Sequence, residues 1–596
     1  MASDFTPQFE TLIDIYRSSL ERFPDRPLFG TKRDGAWTWM TYREFGRLAD
    51  QMRGGLARLG VQRGQRVGII SDNRWEWAVA AYGAYGLGAA VVPMYESQTE
   101  ADWRYILADS GSCVLFVPDD EVRAKVAAMR ADLPDLAHLV VIEGDAGEGG
   151  HRFADVLALG AEHPASLVEV ELKDLAGFVY TSGTTGRPKG VLLSHENLAS
   201  NVSAVHEIFP LEPDDRSLSF LPWAHSFGQT VELHTLFSMG CSTGFAESRE
   251  RIVENLAEVR PTMLVSVPAV FNRIYDGLHK RMDEEGGLRK KLFYAAVANA
   301  TRRLRAAGGR AGPWVEFRHG MYDRVVFAKV RKAFGGRLRY AISGGAAMSV
   351  EVGEFIDALG IPVYEGYGLS ETSPIVSANH PGVRRLGSVG KPIPGVRVEL
   401  EPVDTEDRSS GEIVVYGHCV MQGYHGLPEE NARVFTPSGG FRTGDIGRFD
   451  EDGFLYITGR VKEQYKLENG KYVVPTPIEE HLKLSPFIVN AMVYGHNRPF
   501  NVALIVPDLE ALRQWADHEG IAAEGEALLR DERARAKISD EIAAHSAAVK
   551  GYERIRDFVL LGEDFTPENG LLTPTLKVKR RDVLDRYGGD IAALYG

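Results

Sequence analysis

Apolar and polar positions fall into two textures along the chain. Between residues 65 and 143, short unbroken runs of aliphatic and β-branched residues recur: QRVGIIS (65–71), AAVVPM (89–94), SCVLFV (112–117) and HLVVIE (138–143). Stretches of helical composition separate them, at about 74–87 and in an Ala-rich piece at 121–132. Strands that read as continuous apolar runs are buried on both faces, and intervening helices supply the crossovers that parallel pairing needs. The pattern predicts doubly wound parallel sheets, and its rhythm returns at TMLVSV (262–267) and RLRYAIS (337–343). From about 385 the texture changes. VRVELE, EIVVYG and GFLYITG are short alternating strands between turn residues, which predicts a small β-barrel subdomain over about 385–461. After it, IVNAMVYG, NVALIVP and a polar helical region (509–550) predict a small α+β domain over 462–596. The expected fold class is α/β, with a large multi-lobed N-terminal domain (1–461) and a smaller C-terminal one (462–596).

Trp77–Tyr95 is 19 residues without a charge, long enough for a membrane span. It is mostly Ala, Gly and Tyr, so insertion into lipid would be weakly driven. It reads instead as a buried helix over about 75–87 followed by the strand AAVVPM. The amino terminus carries Asp4, Glu10 and Asp14 and has no basic segment leading into an apolar one, so it does not read as a secretory signal.

Composition narrows the function classes. Of 596 residues, 44 % are hydrophobic and 25 % charged, which excludes disorder, collagen and coiled coil for the whole chain. Lys and Arg total 68 against 82 Asp and Glu, a net charge of -14, the opposite balance from a general nucleic-acid binder. The charge is uneven. Residues 280–339 hold sixteen Lys/Arg and five Asp/Glu, or +11, leaving -25 elsewhere. Such a segment is a solvated helical face, or a patch for an anionic membrane surface or a polyanionic cofactor. Cys113, Cys241 and Cys419 are far apart and in no metal spacing, which argues against a disulfide framework or zinc site and fits a reducing cytoplasm.

The densest chemistry is Tyr180-Thr-Ser-Gly-Thr-Thr-Gly-Arg-Pro-Lys-Gly190, after the strand-like LAGFVY. Its glycines let the backbone approach a ligand, and successive N–H groups form an anion nest. Thr181, Ser182, Thr184 and Thr185 add hydroxyls, and Lys189 adds a charge. The spacing of Gly183 and Gly186 is not that of a Walker A loop. The loop suits a polyphosphate; the plainer reading is a polar surface turn.

This stretch resembles the phosphate loop of the adenylate-forming enzymes, the superfamily of acyl-CoA synthetases, luciferases and peptide-synthetase adenylation domains. Four more stretches are similar to the family's motifs in the same order: ISGGAAMS (342–349), YEGYGLSETSP (364–374), FRTGDIG (441–447) and ITGRVKEQYKLENGKYVVP (457–475). LTPTLKVKRR (572–581) resembles its closing segment. The ENGKYVVP stretch, LPWAHSFGQTVE (221–232) and NGLLTPTLK resemble long-chain fatty acyl-CoA synthetases most. The resemblance implies that the smaller domain is mobile.

It also implies roles. Thr181, Ser182, Gly183, Thr184, Thr185, Gly186 and Lys189 would hold the ATP phosphates. Glu371 and Thr184 would hold Mg²⁺, which prefers hard oxygens and shares those of phosphate. The Thr372 hydroxyl would bond the α-phosphate. Gly344, Gly345 and Ala346, with Glu365, Gly366 and Tyr367, would wall the adenine, where small side chains let a flat base lie against backbone. Asp445 would accept the ribose hydroxyls, with Arg460 on the same ribose or the phosphates. Lys577, rather than Lys579, would bridge the nucleophile and the α-phosphate, although Thr575-Leu576 stands where many relatives have Ser-Gly. Lys462 falls at the hinge, and Lys466 and Gly470 would face coenzyme A. Trp223, His225 and Gly228 would lie by the acyl pocket, with no acid–base role. Alone, these residues read as a surface carboxylate, a turn Asp, a core or loop histidine and a solvated basic tail.

The resemblance thus implies ATP-dependent activation of a long-chain fatty acid to acyl-CoA through an acyl-adenylate, releasing pyrophosphate and AMP. The partners are fatty acid, ATP and CoA, with no nucleic acid. A location in the cytoplasm, peripheral to the inner membrane face through 280–339, is expected. The alternatives are a fatty acyl-AMP ligase, an adenylating enzyme that loads a carrier protein, and a non-catalytic nucleotide-binding regulator.

Overall fold

An eight-stranded sheet organises the first part of the chain. From edge to edge it runs Gly423–Tyr424, Lys189–Ser194, Leu175–Thr181, Ala90–Met94, Arg66–Ile70, Val114–Val117, His138–Val141 and His151–Arg152. The structure, a computed structural model, describes residues 5–181, 187–306, 311–403, 409–523, 525–547, 549–573 and 577–596. Strands Leu175–Thr181 through His151–Arg152 pair in parallel, as the apolar runs predict. The first two strands do not: Lys189–Ser194 returns antiparallel beside Leu175–Thr181, and Gly423–Tyr424 lies antiparallel to it. The connection from Thr181 to Lys189 is too short for a parallel crossover, which takes a dozen or more residues.

The uncharged run lies inside this lobe. Helix Trp75–Tyr85 is buried from Glu76 to Tyr85, so protein surrounds it and no face calls for charge. It stops before Gly86 and Gly88, and strand Ala90–Met94 follows, fully buried. Among the described residues no helix is long and apolar enough to cross a membrane. Helix Tyr42–Arg58 begins at a capping box of Thr41 and Glu44. It packs so closely on helix Phe153–Glu162 that a Cβ at Gly160 would stand 1.7 Å from the Gln51 carbonyl oxygen.

A second sheet runs Met263–Ser266, Tyr340–Ser343, Val363–Gly368, Ile375–Ala378 and Lys391–Pro392, its first three strands parallel and the rest antiparallel. A third contains Arg216–Ser219, Ser242–Phe245, Pro27–Arg33 and Ala36–Thr41. Its last two strands form a hairpin closed by Asp34 and Gly35, both at positive φ. Helices Pro268–Glu285, Gly287–Leu304, Pro313–Tyr322 and Ala328–Ala333 lie between the first two strands of the second sheet.

The chain divides into two compact units. The described residues of the larger fall within Met1–Thr181, Pro188–Val398 and Val415–Phe441; those of the smaller fall within Ser182–Arg187, Glu399–Val414 and Arg442–Gly596. The β-rich stretch after 385 forms a four-stranded sheet ordered Val396–Pro402, Gly411–Gly417, Phe441–Phe449, Leu455–Arg460. Among the described residues no pairing joins its first and last strands. In the smaller unit, strands Ile488–Tyr494, Asn501–Pro507 and Ile555–Leu560 form one sheet. Leu512, Ile538 and Ile542 cover one apolar core with it, and Phe565, Val583 and Ile591 belong to another.

Candidate active site

In the larger unit, Thr181 ends a central strand and Lys189 begins the strand beside it, with the two residues paired in register. Ser182, Gly183, Thr184, Thr185 and Gly186 lie outside the described residues. The Lys189 ammonium is 2.5 Å from Glu430 Oε1 and 4.9 Å from the centre of the Tyr424 ring. The Tyr424 hydroxyl donates to Glu371 Oε1 at 2.8 Å in the interior. Sheet pairing delivers this contact, because Tyr424 lies opposite Val191 on the neighbouring strand. Lys189, Tyr424 and Glu371 thus form one chain of contacts. Arg433 also bonds Glu430, at 2.5 Å. Burial works to raise the Glu430 pKa, but Lys189 and Arg433 hold it below its ordinary value. Burial and the Glu371 carboxylate push Tyr424 far up, so its phenol stays a donor.

Glu371 sits in a short 3₁₀ turn, Ser370–Thr372. Its backbone carbonyl accepts from Met421 N–H at 2.9 Å. Asn201, on the helix His195–Ile208, accepts from Ile375 N–H at 2.9 Å and donates to the Thr372 and Ile375 carbonyls. That helix begins at a capping box of Ser194 and Asn197, directly after the Lys189 strand. Thr372 is fully buried, and its hydroxyl donates to the carbonyls of Pro374 at 2.6 Å and Leu369 at 3.0 Å. Its hydroxyl is engaged by its own loop. Among the described residues no group of three or more His, Cys, Asp or Glu side chains could hold a metal. A single carboxylate with one oxygen bonded to Tyr424 nonetheless suits Mg²⁺, which takes most of its ligands from phosphate and water.

Tyr340–Ser343 and Val363–Gly368 bring the adenine-wall candidates onto adjacent strands, with Ser343 opposite Glu365. Gly344 follows the first strand, and a Cβ there would press to 3.0 Å of the Phe227 ring. Gly345 has φ +83°, where only glycine is unstrained, and Ala346 beside it is exposed. Gly366 and Tyr367 pair with Ala378 and Ser377. Ser343 Oγ is buried without a hydrogen bond among the described residues, a group that a ligand amine or hydroxyl would satisfy. Burial pushes Glu365 up to about 7 against the pull of the Met348 and Gly387 amides.

The segment of the acyl-wall candidates adjoins these residues: Phe227, between His225 and Gly228, meets Gly344, and Ser226 Oγ lies 3.0 Å from Ser370 Oγ beside Glu371. Trp223 is fully buried, ringed by Phe29, Trp77 and Phe245, and its indole N–H donates to Glu232 Oε2 at 3.1 Å. It is a core side chain. His225 is half-buried and accepts from Phe227 N–H at 3.1 Å. Gly228 opens a π-helix, Gly228–His234, and a Cβ there would meet the Pro222 carbonyl at 2.6 Å. π-Helical turns concentrate at functional sites. This one carries a buried polar cluster the sequence reading missed. Glu232 is bonded by Ser219 and Trp223, and burial pushes it up to about 8. Burial pushes His234 down to about 3 and His195 to about 4, so both are neutral. Gln229 Oε1, Thr230 Oγ1 and both histidine Nε2 atoms are buried without partners among the described residues.

In the smaller unit, Asp445 and Arg460 are cross-strand partners, with Arg460 Nε 3.0 Å from Asp445 Oδ1. Asp445 is buried and its amide donates to Thr443 Oγ1 at 3.1 Å. Lys462 is exposed just beyond that strand. Lys466 and Gly470 belong to a hairpin whose turn closes from Gly470 N–H to the Leu467 carbonyl at 2.9 Å; the Lys466 ammonium is 4.3 Å from the Tyr472 ring centre. Lys577 is exposed on a second hairpin, held by Thr573 N–H to the Lys577 carbonyl at 2.8 Å. Thr575 and Leu576 lie outside the described residues. The basic run beyond is no solvated tail throughout: Arg580 pairs with buried Glu479 at 2.5 Å, and Glu479 Oε1 accepts from Val493 N–H at 2.6 Å.

Fold and motif order together define an adenylate-forming enzyme, and the chain belongs to the AMP-binding enzyme family, which it matches over residues 16–425; residues 462–596 match the AMP-binding enzyme C-terminal domain. It is 36 % identical over 583 residues to the long-chain-fatty-acid–CoA ligase FadD15 of Mycobacterium bovis, covering 96 % of this chain and 95 % of that one. It is 31 % identical to the peroxisomal long chain acyl-CoA synthetase 6 of Arabidopsis thaliana, covering 99 % and 87 %. Its fold matches the crystal structure of the adenylation domain of a carboxylate reductase from Mycobacterium chelonae with a TM-score of 0.80, at 24 % identity and covering 99 % and 92 %.

Proposed function

We propose that the protein activates a long-chain fatty acid to its CoA thioester at the expense of ATP. The reading is carried by the joined set Lys189, Tyr424 and Glu371, in a chain 36 % identical over nearly its whole length to a long-chain-fatty-acid–CoA ligase. The fatty carboxylate, ionised near neutral pH, attacks the α-phosphorus of ATP. An oxygen–phosphorus bond forms to give the acyl-adenylate, and the bond to pyrophosphate breaks. The thiol of CoA then attacks the acyl carbonyl, AMP leaves, and the thiol proton is released.

The protein's part is to position charge. Thr181, the loop 182–186 and Lys189 bind the triphosphate. Glu371 and Thr184 would hold Mg²⁺, which would neutralise phosphate charge. Gly344, Gly345, Ala346, Glu365, Gly366 and Tyr367 bind the adenine, and Asp445 with Arg460 the ribose. Lys577 bridges carboxylate and α-phosphate in the first half-reaction. The smaller domain then turns about Lys462, withdrawing Lys577 and presenting Lys466 and Gly470 to CoA. The basic segment 280–339 supports a place beside an anionic membrane.

The test supplies ATP, Mg²⁺ and acids of graded length, with and without CoA, and identifies products by mass. Acyl-CoA from long acids is expected. Acyl-AMP that persists in the presence of CoA would favour an acyl-AMP or carrier-loading ligase. No acid-dependent AMP would favour a regulator.

A further inference from the structure

An ordinary surface helix carries one apolar stripe, turned to the core. Helix Pro313–Tyr322 and its continuation to Ala333 carry two. Tyr322 and Phe327 are buried on the inner side. The other side presents Trp314, Phe317, Met321 and Val325, exposed by 68, 67, 47 and 46 %. Steps of three and four residues place them along one face. The Trp314 and Phe317 rings stack in the open, with centroids 5.8 Å apart. Leu288 and Leu304, on the preceding helix, are exposed by 80 and 45 %. Among the described residues, six of the thirteen exposed large hydrophobics fall between 288 and 325, four of them on this one helix face.

This patch stands in the segment whose net charge is +11, while the rest of the chain sums to -25. Lys291, Arg302, Arg324, Lys329 and Lys332 are exposed and form no ion pair among the described residues. We infer that this outer face, Trp314, Phe317, Met321 and Val325 with its unpaired cations, docks on an anionic lipid bilayer. Trp and Phe favour the headgroup boundary, and long Lys and Arg stems reach the phosphate layer from beside them. The remaining negative charge is repelled by the same surface, which orients the molecule face-down. A two-fold contact between copies through this face would bring two +11 segments together, which disfavours a dimer as the occupant. The inference rests on the fatty-acid reading for its purpose alone, collection of a membrane-soluble substrate.

The experiment sediments the full chain with vesicles of phosphatidylcholine, alone or mixed with phosphatidylglycerol. Binding to the mixed vesicles, weakened by salt, is expected. The double variant Trp314→Ser/Phe317→Ser should bind about tenfold more weakly. Arg324→Glu/Lys329→Glu should fall as far, and neither should change thermal unfolding or adenylation of a water-soluble shorter acid. Vesicle binding equal to wild type in both variants overturns the inference, as does no binding by wild type. A wild-type dimer that Trp314→Ser/Phe317→Ser abolishes, without vesicle binding, assigns the face to self-association and overturns it too. A protein that binds vesicles but makes no acyl-adenylate refutes the ligase reading and leaves the docking surface standing.

Discussion

Among the described residues the Glu371 side chain is held by a neutral donor, the Tyr424 phenol on one carboxylate oxygen, and by no ion pair. This separates charge from position. Glu371→Gln keeps an oxygen for Tyr424 and removes the charge, so adenylation should fall about 100-fold and half-maximal rate should need more Mg²⁺. An unchanged magnesium dependence would end the metal role of Glu371. Tyr424→Phe keeps the charge and loosens its placement, so a smaller loss of about tenfold is expected. Lys577→Ala addresses the other unit. Adenylation should fall about 100-fold, while thioester formation from supplied acyl-adenylate should change little. Equal impairment of both halves would refute the division of labour. The Thr372 hydroxyl, already bonded to two carbonyls of its own loop, gives a different expectation: Thr372→Ala costs stability of that loop as well as rate.

The hairpin that carries Lys577 continues into helix Arg580–Ala593, and Arg580 anchors that junction on Glu479. Glu479 is buried and Arg580 partly so, so removing the arginine strands a buried carboxylate. Arg580→Met should lower the stability of the smaller unit by about 3–5 kcal/mol, and Arg580→Met/Glu479→Leu should recover much of it, both read by chemical denaturation. The basic run KVKRR gives no sign of this, because burial of one arginine among four cations is decided by the distant Glu479. The same limit governs what else was legible. Apolar runs identify the strands at 66–70, 90–94, 114–117 and 138–141, because a strand buried on both faces has no polar alternative. They do not distinguish the antiparallel strand Lys189–Ser194, whose direction follows from the short connection before it. The Asp34-Gly35 hairpin carries a legible signal, a pair suited to positive φ at both turn positions, that went unread. Motif order singles out Lys189 and Glu371 in the larger unit, but Tyr424, Glu430 and Asn201 join them only through pairing and packing between remote segments. Trp223, an aromatic near a motif, reads as a pocket wall, and its surroundings in the core come from segments remote in sequence.

Across the whole molecule, burial of ionisable groups sets the pH range of stability. Glu232, pushed from near 4.5 to about 8, keeps its proton in the folded state and loses it in the unfolded chain. Its contribution is therefore complete below about pH 4.5 and is lost as pH rises toward 8. His195 and His234, pushed from 6.5 to about 4 and 3, work in the opposite sense. Their contribution is present above 6.5 and is lost as pH falls, because only the unfolded chain takes up the protons. Glu365, at about 7, adds to the falling limb over most of the same range as Glu232. The histidines and Glu365 are common to wild type and Glu232→Gln and cancel in their difference, so that difference between pH 6.5 and 8 reads the Glu232 carboxyl directly. The amide keeps an oxygen for the Trp223 indole and has no proton to lose, so its unfolding midpoint should decline less over this interval. The gap between the two proteins at pH 8, relative to pH 6.5, should be on the order of 2 kcal/mol. Parallel curves would mean that Glu232 is already ionised in the folded protein, with a cation or water beside its Oε1.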